Sequence, residues 1–131
     1  MSLQPGATAE VSLLVTADVT AHAMGNRGVQ VLATPFLIGL LENAGAAVLR
    51  SEIPAGGGSV GTMVEMRHLA ATPAGMTVRA RATLLETDGK RFLFAVEAWD
   101  DAEKVADGRH ERYLVADIQK FMNRAMRQER R

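Results

Sequence analysis

Three side chains in this 131-residue sequence could combine in acid–base or hydrolytic chemistry: Thr34, Glu42 and His68. Glu42 lies in the most apolar stretch of the chain, residues 35–49, where Asn43 is the only other polar residue. Removing a lone carboxylate from water costs on the order of several kcal/mol unless it is paired or protonated. A carboxylate in such a place could act as a general base or as a nucleophile. The alternative is a structural carboxylate at the helix rim or bonded to a neighbouring strand, and the residue alone leaves both open.

Thr34 and His68 each have a structural explanation beside the chemical one. Thr34 precedes Pro35, a pair typical of a helix start with Thr as the N-cap and Pro at the first helical position. In chemistry, Thr34 could act through its hydroxyl or through the free helix-terminal amides, which can hold an oxyanion. His68 ends a predicted strand, where a lone histidine is more often a surface or structural group. Its chemical role would be to orient a carboxylate or to shuttle a proton.

The spacing of Thr34 and Glu42 carries a prediction of its own. Eight residues along one helix correspond to a rise of roughly 12 Å, which is too far for a hydrogen bond inside one chain. If the two residues share a site, Thr34 must come from one chain and Glu42 from another. A joint Thr/Glu site therefore predicts an obligate dimer with composite active sites.

One long helix and five strands must position these side chains. The predicted helix begins at Thr34-Pro35, ends near Arg50 and is apolar nearly all round, so we expect it to be buried on most sides. Residues 76–86 and 91–99 alternate apolar and polar side chains, as half-buried strands do. The Asp88-Gly89 pair between them predicts a type I′ hairpin turn. The other predicted strands are residues 10–17, 59–69 and 104–116, and residues 118–127 are predicted to form a short helix.

This order of elements predicts an α+β fold, with one antiparallel five-stranded sheet wrapped around one long central helix. We expect a single domain over residues 1–131, with residues 1–9 flexible and residues 118–131 forming a short C-terminal helix or tail. An open five-stranded sheet leaves edge strands that proteins commonly pair or cover. The edges therefore favour dimerisation.

Composition excludes several classes of function. Lys+Arg and Asp+Glu balance at 15 each, which argues against generic binding to nucleic acid or anionic membranes. The absence of cysteine excludes disulfides, thiolate nucleophiles and Cys-based metal centres, and the three histidines lack metal-ligand spacing. No signal peptide or membrane-spanning stretch is apparent. We expect a cytoplasmic protein without metal or redox cofactor.

Three stretches of the chain resemble one known family. Residues 31–44, which contain Thr34 and Glu42, resemble the central helix of hot-dog-fold thioesterases, and more narrowly of the fluoroacetyl-CoA thioesterase-like family. Gly61-Thr62 and the His-Leu-Ala-Ala-Thr-Pro run of residues 68–73 match that family's Gly-Thr and His-x-Ala-Ala-Thr-Pro elements. Residues 108–112 fit its His-Glu-Arg segment. The resemblance runs from about residue 30 to residue 122.

The resemblance implies a hot-dog fold assembled as a homodimer, with a dimer of dimers as a further option, and two sites at the interface. It also implies hydrolysis of a small or medium acyl-CoA thioester, with coenzyme A as part of the substrate and no other cofactor. The catalytic Thr, Glu and His of the family correspond to Thr34, Glu42 and His68. Gly61 is implied near the thioester, and Arg112 occupies the arginine of the His-Glu-Arg segment.

Two other functions fit the same fold: a non-catalytic module that binds acyl-CoA or an acyl carrier, and a dehydratase or hydratase acting at a β-carbon. The set of Thr34, Glu42 and His68 favours hydrolysis, because a binding module needs no buried carboxylate opposite a helix terminus. Residues 18–33 contain no Phe, Tyr or Trp, so selectivity for a fluorinated acyl group is not carried over. Five arginines are candidates for the CoA phosphates, with a solvated strand face as the alternative: Arg67, Arg79, Arg81, Arg91 and Arg109.

Overall fold

A computed structural model describes residues 3–129, which form one five-stranded antiparallel sheet with a long helix against it. The strands lie in the order β1-β3-β4-β5-β2, so β1 and β2 are the two edges. This arrangement confirms the predicted α+β class. The elements are β1 (Thr8–Leu14), α1 (Thr34–Leu49), β2 (Gly58–His68), β3 (Thr77–Thr87), β4 (Arg91–Trp99), β5 (Lys104–Val115) and α2 (Ile118–Glu129), with short 3₁₀ helices at Ala17–Val19 and Arg50–Glu52.

The first strand starts earlier than the sequence indicates. β1 pairs with β3 from Thr8 opposite Thr83 to Leu14 opposite Thr77. Residues 8 and 9, which we expected in a flexible N-terminus, therefore belong to the sheet, and the strand is offset from the predicted 10–17. At the other end of the chain, α2 continues to Glu129, two residues beyond the predicted helix end.

The β3–β4 connection is not the predicted type I′ turn. That turn requires positive φ at both central residues, whereas only Gly89 of this loop has one, at 97°. Three residues separate Thr87 from Arg91, and a three-residue hairpin loop needs a single left-handed position. The Asp88 carboxylate accepts hydrogen bonds from the Lys90 and Arg91 amides at 2.9 and 2.8 Å. Asp88 thus stabilises the loop through its side chain.

Helix α1 buries one side against the sheet and leaves the other partly open. Its buried residues are Leu37, Leu40, Leu41, Ala44, Gly45, Val48 and Leu49. Phe36, Gly39, Asn43 and Ala46 follow at three- and four-residue spacing and define an outer face that the single chain does not fully cover. The prediction that α1 is buried on most sides is confirmed in part, because most of its residues are buried or half-buried while this outer face is left partly exposed in one chain. No helix within residues 3–129 has the length and apolar character needed to cross a membrane.

A buried hydrogen bond between Thr72 and Asp100 helps to hold the segment that leads into α1. Thr72, which is 1% exposed, donates its hydroxyl to the Asp100 carboxylate at 2.8 Å. The other Asp100 oxygen accepts hydrogen bonds from the Ala102 and Glu103 amides in the β4–β5 turn, each at 2.9 Å. The Thr72 carbonyl accepts the Leu32 amide at 2.8 Å, just before α1 begins. Thr72, the threonine of the His-x-Ala-Ala-Thr-Pro element, therefore links the β2–β3 connection to the β4–β5 turn and to the segment that precedes α1.

Replacement of Asp100 by Ala should lower the free energy of unfolding by about 2–4 kcal/mol, because three buried or turn donors lose their acceptor. Burial opposes ionisation of Asp100, but the hydrogen bonds from Thr72, Ala102 and Glu103 outweigh it and lower the pKa of the carboxyl. The contribution is then present above the unfolded pKa, about 3.9, and lost as the pH falls through the folded pKa. Urea unfolding at pH 7 and pH 3 measures both effects, and equal stability of the two proteins at pH 7 would contradict the assignment.

Candidate active site

Thr34 and His68 lie together within one chain. The Thr34 hydroxyl is 2.8 Å from His68 Nδ1, although the residues are 34 positions apart. Thr34 is the first residue of α1, and the N-cap is Ala33, whose carbonyl accepts the Phe36 and Leu37 amides at 3.1 Å each. The prediction that Thr34 is the N-cap is therefore wrong by one residue. Because the backbone of Ala33 begins the helix, the Thr34 side chain is left to contact His68 at the end of β2.

Burial lowers the pKa of His68, and the neighbouring backbone of Ala70 only partly opposes that effect. The imidazole is therefore neutral at pH 7. A neutral ring can accept the Thr34 hydroxyl proton or donate to its oxygen, according to the tautomer. The pair can thus hold a hydroxyl in a fixed direction and exchange a proton with it.

If His68 acts as a base, the pH dependence of turnover should reflect its lowered pKa. Protonation of the ring removes its capacity to accept a proton, so kcat/KM should fall at acid pH with an apparent pKa below the ordinary value of 6.5. The free energy of unfolding should also fall at acid pH. Because the unfolded chain takes up the proton more readily than the folded chain, stability falls as the pH drops from 6.5 through the folded pKa of His68. A pH–rate profile of the wild type and His68→Gln tests this. An unchanged acid limb in the variant, or a limb above pH 6.5, would refute it.

Glu42 lies two helical turns beyond Thr34, beside Gly61 and Arg112. Its Oε2 atom is 3.8 Å from Arg112 Nη1. A Cβ atom added to Gly61 would overlap that same oxygen, so the carboxylate rests directly on the backbone of β2. The Glu42 side chain is 39% exposed, and its predicted burial is therefore wrong for the single chain. The partly open side of α1 leaves it in contact with solvent.

Gly61 sits at an irregular point of the edge strand. The register of β2 against β5 shifts between Gly61 and Met63, so that Thr62 is the extra residue of a bulge. The Thr62 hydroxyl donates to Glu111 Oε1 at 2.6 Å. The Gly-Thr element and the His-Glu-Arg segment are therefore adjacent strands of one structure, with the glycine facing Glu42 and the threonine holding the bulge.

Arg112 is held in place by residues that sequence reasoning did not assign to the site. Its Nε donates to Ser59 Oγ at 2.9 Å, and Nη2 donates to the Ser59 carbonyl at 3.0 Å. Nη1 lies 3.2 Å from Nε2 of the fully buried His110. Because His110 Nδ1 lies 2.8 Å from the Met63 carbonyl, which can only accept, Nδ1 carries the proton and Nε2 accepts from Arg112. Arg112 is 8% exposed.

His110 is neutral because burial and the charge of Arg112 lower its pKa. A Cβ atom added to Gly45 would be 2.8 Å from His110 Cδ2, so a glycine in α1 allows the ring to pack against the helix. One sequence feature could have pointed to His110: it is two residues from Arg112 in β5, and residues at that spacing share a face of the strand. The alternation does not show that this face contacts α1.

The structure thus brings the five predicted residues together in two groups that lie apart. Thr34 contacts His68, and Glu42 lies beside Gly61 and Arg112. Each group has one residue on α1, and these two residues are eight positions apart, which corresponds to roughly 12 Å along the helix axis. The first group supplies a hydroxyl, an imidazole and a helix N-terminus, and the second supplies a carboxylate beside a cation.

Comparison with known proteins identifies the family. The model of the fluoroacetyl-CoA-specific thioesterase family matches residues 15–117. The fluoroacetyl-CoA thioesterase of Streptantibioticus cattleyicolor is 37% identical over 92 residues, which are 70% of this chain and 66%, a little under two thirds, of that protein.

Solved structures give the same answer for the fold. A point mutant of the fluoroacetyl-CoA-specific thioesterase FlK, in complex with fluoroacetate and CoA, is 30% identical with a TM-score of 0.85, covering 91% of this chain and 99% of its own. A hot-dog-like protein from Thermanaerovibrio acidaminovorans matches with a TM-score of 0.84 at 22% identity, over 95% of this chain and 91% of its own. These matches confirm the predicted hot-dog fold. The chain belongs to the fluoroacetyl-CoA-specific thioesterase family.

Proposed function

We propose that this protein hydrolyses a small or medium acyl-CoA thioester to the free acid and coenzyme A, in sites shared between two subunits. The observation that carries the proposal is the position of Glu42, a carboxylate against Gly61 and beside Arg112, in a chain of a thioesterase family. A related structure that holds fluoroacetate and CoA supports the substrate class. No metal or redox cofactor is part of the proposal.

Glu42 supplies the attacking oxygen or activates the water that supplies it. In the first route, its carboxylate adds to the thioester carbonyl, the C–S bond breaks, and water then hydrolyses the resulting anhydride. In the second, Glu42 takes a proton from water as the water oxygen bonds to the carbonyl carbon and the C–S bond breaks. In both, the CoA thiolate leaves and gains a proton. Hydroxylamine added during turnover would form a hydroxamate on Glu42 in the first route only.

The Thr34–His68 pair serves the same reaction from the facing subunit. The Thr34 hydroxyl and the Thr34 amide at the start of α1 can donate to the developing oxyanion, and His68 can pass a proton toward the leaving sulfur. Three features support a homodimer: the separation of Thr34 and Glu42 along α1, the partly uncovered outer face of that helix, and the position of β2 at the edge of the sheet. Two-fold symmetry would place the Thr34–His68 pair of each chain opposite Glu42 of the other.

Mixed dimers test the shared site. Co-expression of Thr34→Ala and Glu42→Gln chains, each inactive alone, should restore about a quarter of wild-type activity. Half of the randomly paired dimers then contain both chains, and one of their two sites has both wild-type residues. Absence of any recovery in isolated mixed dimers would contradict the shared site, as would an active monomer in size-exclusion chromatography.

A panel of acyl-CoA thioesters tests the activity itself. Acetyl-, fluoroacetyl-, butyryl- and longer acyl-CoA substrates are assayed for free thiol, and crotonyl-CoA is assayed for hydration. Measurable kcat/KM for a small or medium acyl group supports hydrolysis. Tight binding of acyl-CoA without turnover would establish the binding module in its place, and hydration without thiol release would establish the hydratase.

A further inference from the structure

An open cleft of about 740 Å³ lies between helix α2 and the β3–β4 loop, next to the end of β5. A hydrogen bond from the Ile118 amide to the Gly56 carbonyl, 2.9 Å long, holds the start of the helix in place. The Leu114 amide donates to the Lys90 carbonyl at 2.8 Å and holds the loop beside β5. Both walls of the cleft are therefore attached to the sheet.

The walls carry an excess of positive charge. Lys120, Arg124 and Arg127 line the cleft from α2, at a spacing that places them on one helix face, and Lys90 lines it from the loop. Asp117 is the acidic residue of the lining, and its carboxylate is engaged with the Lys120 amide at 3.1 Å as the helix N-cap. Among the side chains that the structure describes, none of the four cations forms an ion pair. The cleft is suited to an anion of several charges.

Two of the arginines that the sequence offered for phosphate binding are engaged elsewhere. Arg81 pairs with Glu10 at 2.6 Å and lies over the Trp99 ring. Arg91 pairs with Glu86 and Glu111. The unpaired cations of the cleft are therefore better placed to receive phosphate groups than these two, because no carboxylate has to be displaced first.

An exposed aromatic ring adds a second recognition element. Phe121 lines the cleft beside the cations and is 42% exposed. Aromatic rings beside cations stack nucleobases while the cations contact phosphates. The cleft volume lies within the range of sites for molecules of nucleotide size.

The cleft also lies at the correct end of the sheet for the substrate. Val115, one of its lining residues, is three positions along β5 from Arg112, which pairs in register with Gly61. Three residues of strand span about 10 Å. The nucleotide end of an acyl-CoA is separated from its thioester by the extended pantetheine arm, so one molecule could occupy both places.

We propose that the cleft formed by Lys90, Lys120, Phe121, Arg124 and Arg127 binds the 3′-phosphorylated ADP portion of coenzyme A. This inference rests on the proposed function, because it assigns the far end of the same substrate. The phosphates contact the four cations, and the adenine stacks on Phe121. The cleft contributes binding and leaves the chemical step unchanged.

The test compares substrates with and without the nucleotide. In the Lys120→Ala/Arg124→Ala/Arg127→Ala protein, KM for acyl-CoA should rise by at least about tenfold with kcat unchanged, since one charge-assisted hydrogen bond accounts for about tenfold in affinity. KM for the matching acyl-pantetheine thioester should not change. Lys104→Ala, which removes a partly exposed lysine at the opposite end of β5, is the matched control and should leave both KM values unchanged. Alanine favours helix, so α2 should persist, and Lys90→Ala provides a single substitution outside the helix.

Calorimetry with coenzyme A separates this inference from the proposed function. Binding of CoA that weakens in the triple variant and with added salt supports the cleft even if no thioester is hydrolysed. Hydrolysis by the wild type, with unchanged KM for acyl-CoA in both the triple variant and Lys90→Ala, overturns the cleft and leaves the activity standing. A triple variant that binds CoA normally but no longer binds phosphatidylserine vesicles also overturns it, in favour of a membrane surface.

Discussion

Replacement of Glu42 by Gln should lower kcat by about a thousandfold and leave KM within about threefold, because the role we propose for the carboxylate is to act on the reacting atoms and not to hold the substrate. The amide keeps the size and shape of the side chain but can neither take a proton from water nor attack a carbonyl. Steady-state kinetics with the preferred acyl-CoA measures both constants. The effect should be the same at every substrate concentration above KM.

The loss should not reflect unfolding. Glu42 is 39% exposed and 3.8 Å from Arg112, and ion pairs of this kind contribute about 0–1 kcal/mol. Arg112 keeps its hydrogen bonds to Ser59 and His110. The Tm of Glu42→Gln should therefore stay close to that of the wild type. Glu52→Gln makes the same charge change outside the site and is the matched control; full activity of Glu42→Gln itself would show that another group performs the attack.

Replacement of Gly61 by Ala should reduce kcat/KM by about a hundredfold, the cost typical of moving a reacting group by about 1 Å. The new methyl group would overlap Glu42 Oε2 and approach His110 Cε1 to 3.2 Å. His110 is fully buried and cannot move aside, whereas the partly exposed Glu42 can rotate away from the strand. The substitution therefore displaces the carboxylate and leaves the fold intact.

A double-mutant cycle tests this explanation. If Gly61→Ala acts by moving Glu42, it should cost little further activity in a Glu42→Gln background, so the two effects will not add. Additive effects would show that Gly61 acts independently, for instance by contacting the thioester. Equilibrium unfolding of Gly61→Ala is the control, since alanine in a strand should stabilise slightly if no clash remains.

The regular elements were predictable because they depend on local patterns. Alternating side chains in β3 and β4 and the glycine between them determine a hairpin whatever lies around it. The turn type was not predictable, because an Asp-Gly pair occurs in more than one kind of hairpin loop. Here the three-residue loop is stabilised by two hydrogen bonds from backbone amides to the Asp88 carboxylate. The start of α1 also shifted by one residue, because the Ala33 carbonyl takes the first helical hydrogen bonds and frees Thr34.

The motifs supplied the candidate site residues but not their contacts, and the roles of these residues stay predictions. Thr34, Glu42, His68, Gly61 and Arg112 all followed from the motifs. The contact between Thr34 and His68 depends on how the end of β2 meets the start of α1. Ser59 and His110 escaped notice because their role depends on the register of β2 with β5. Alternation placed His110 and Arg112 on one face of a strand, but not against any particular neighbour.

The sequence by itself determined the α+β class, the helix that carries Thr34 and Glu42, and the distance that separates them, because periodicity and helical rise are local properties of the chain. Only the tertiary structure decided that Glu42 rests on Gly61 beside Arg112, that the Thr34 hydroxyl contacts His68, and that the outer face of α1 remains partly open. Those facts depend on strand register and on which side of the helix the sheet covers. Strand register and helix orientation are both determined by the packing of the whole chain, because they depend on the total apolar surface that folding buries and not on any single segment.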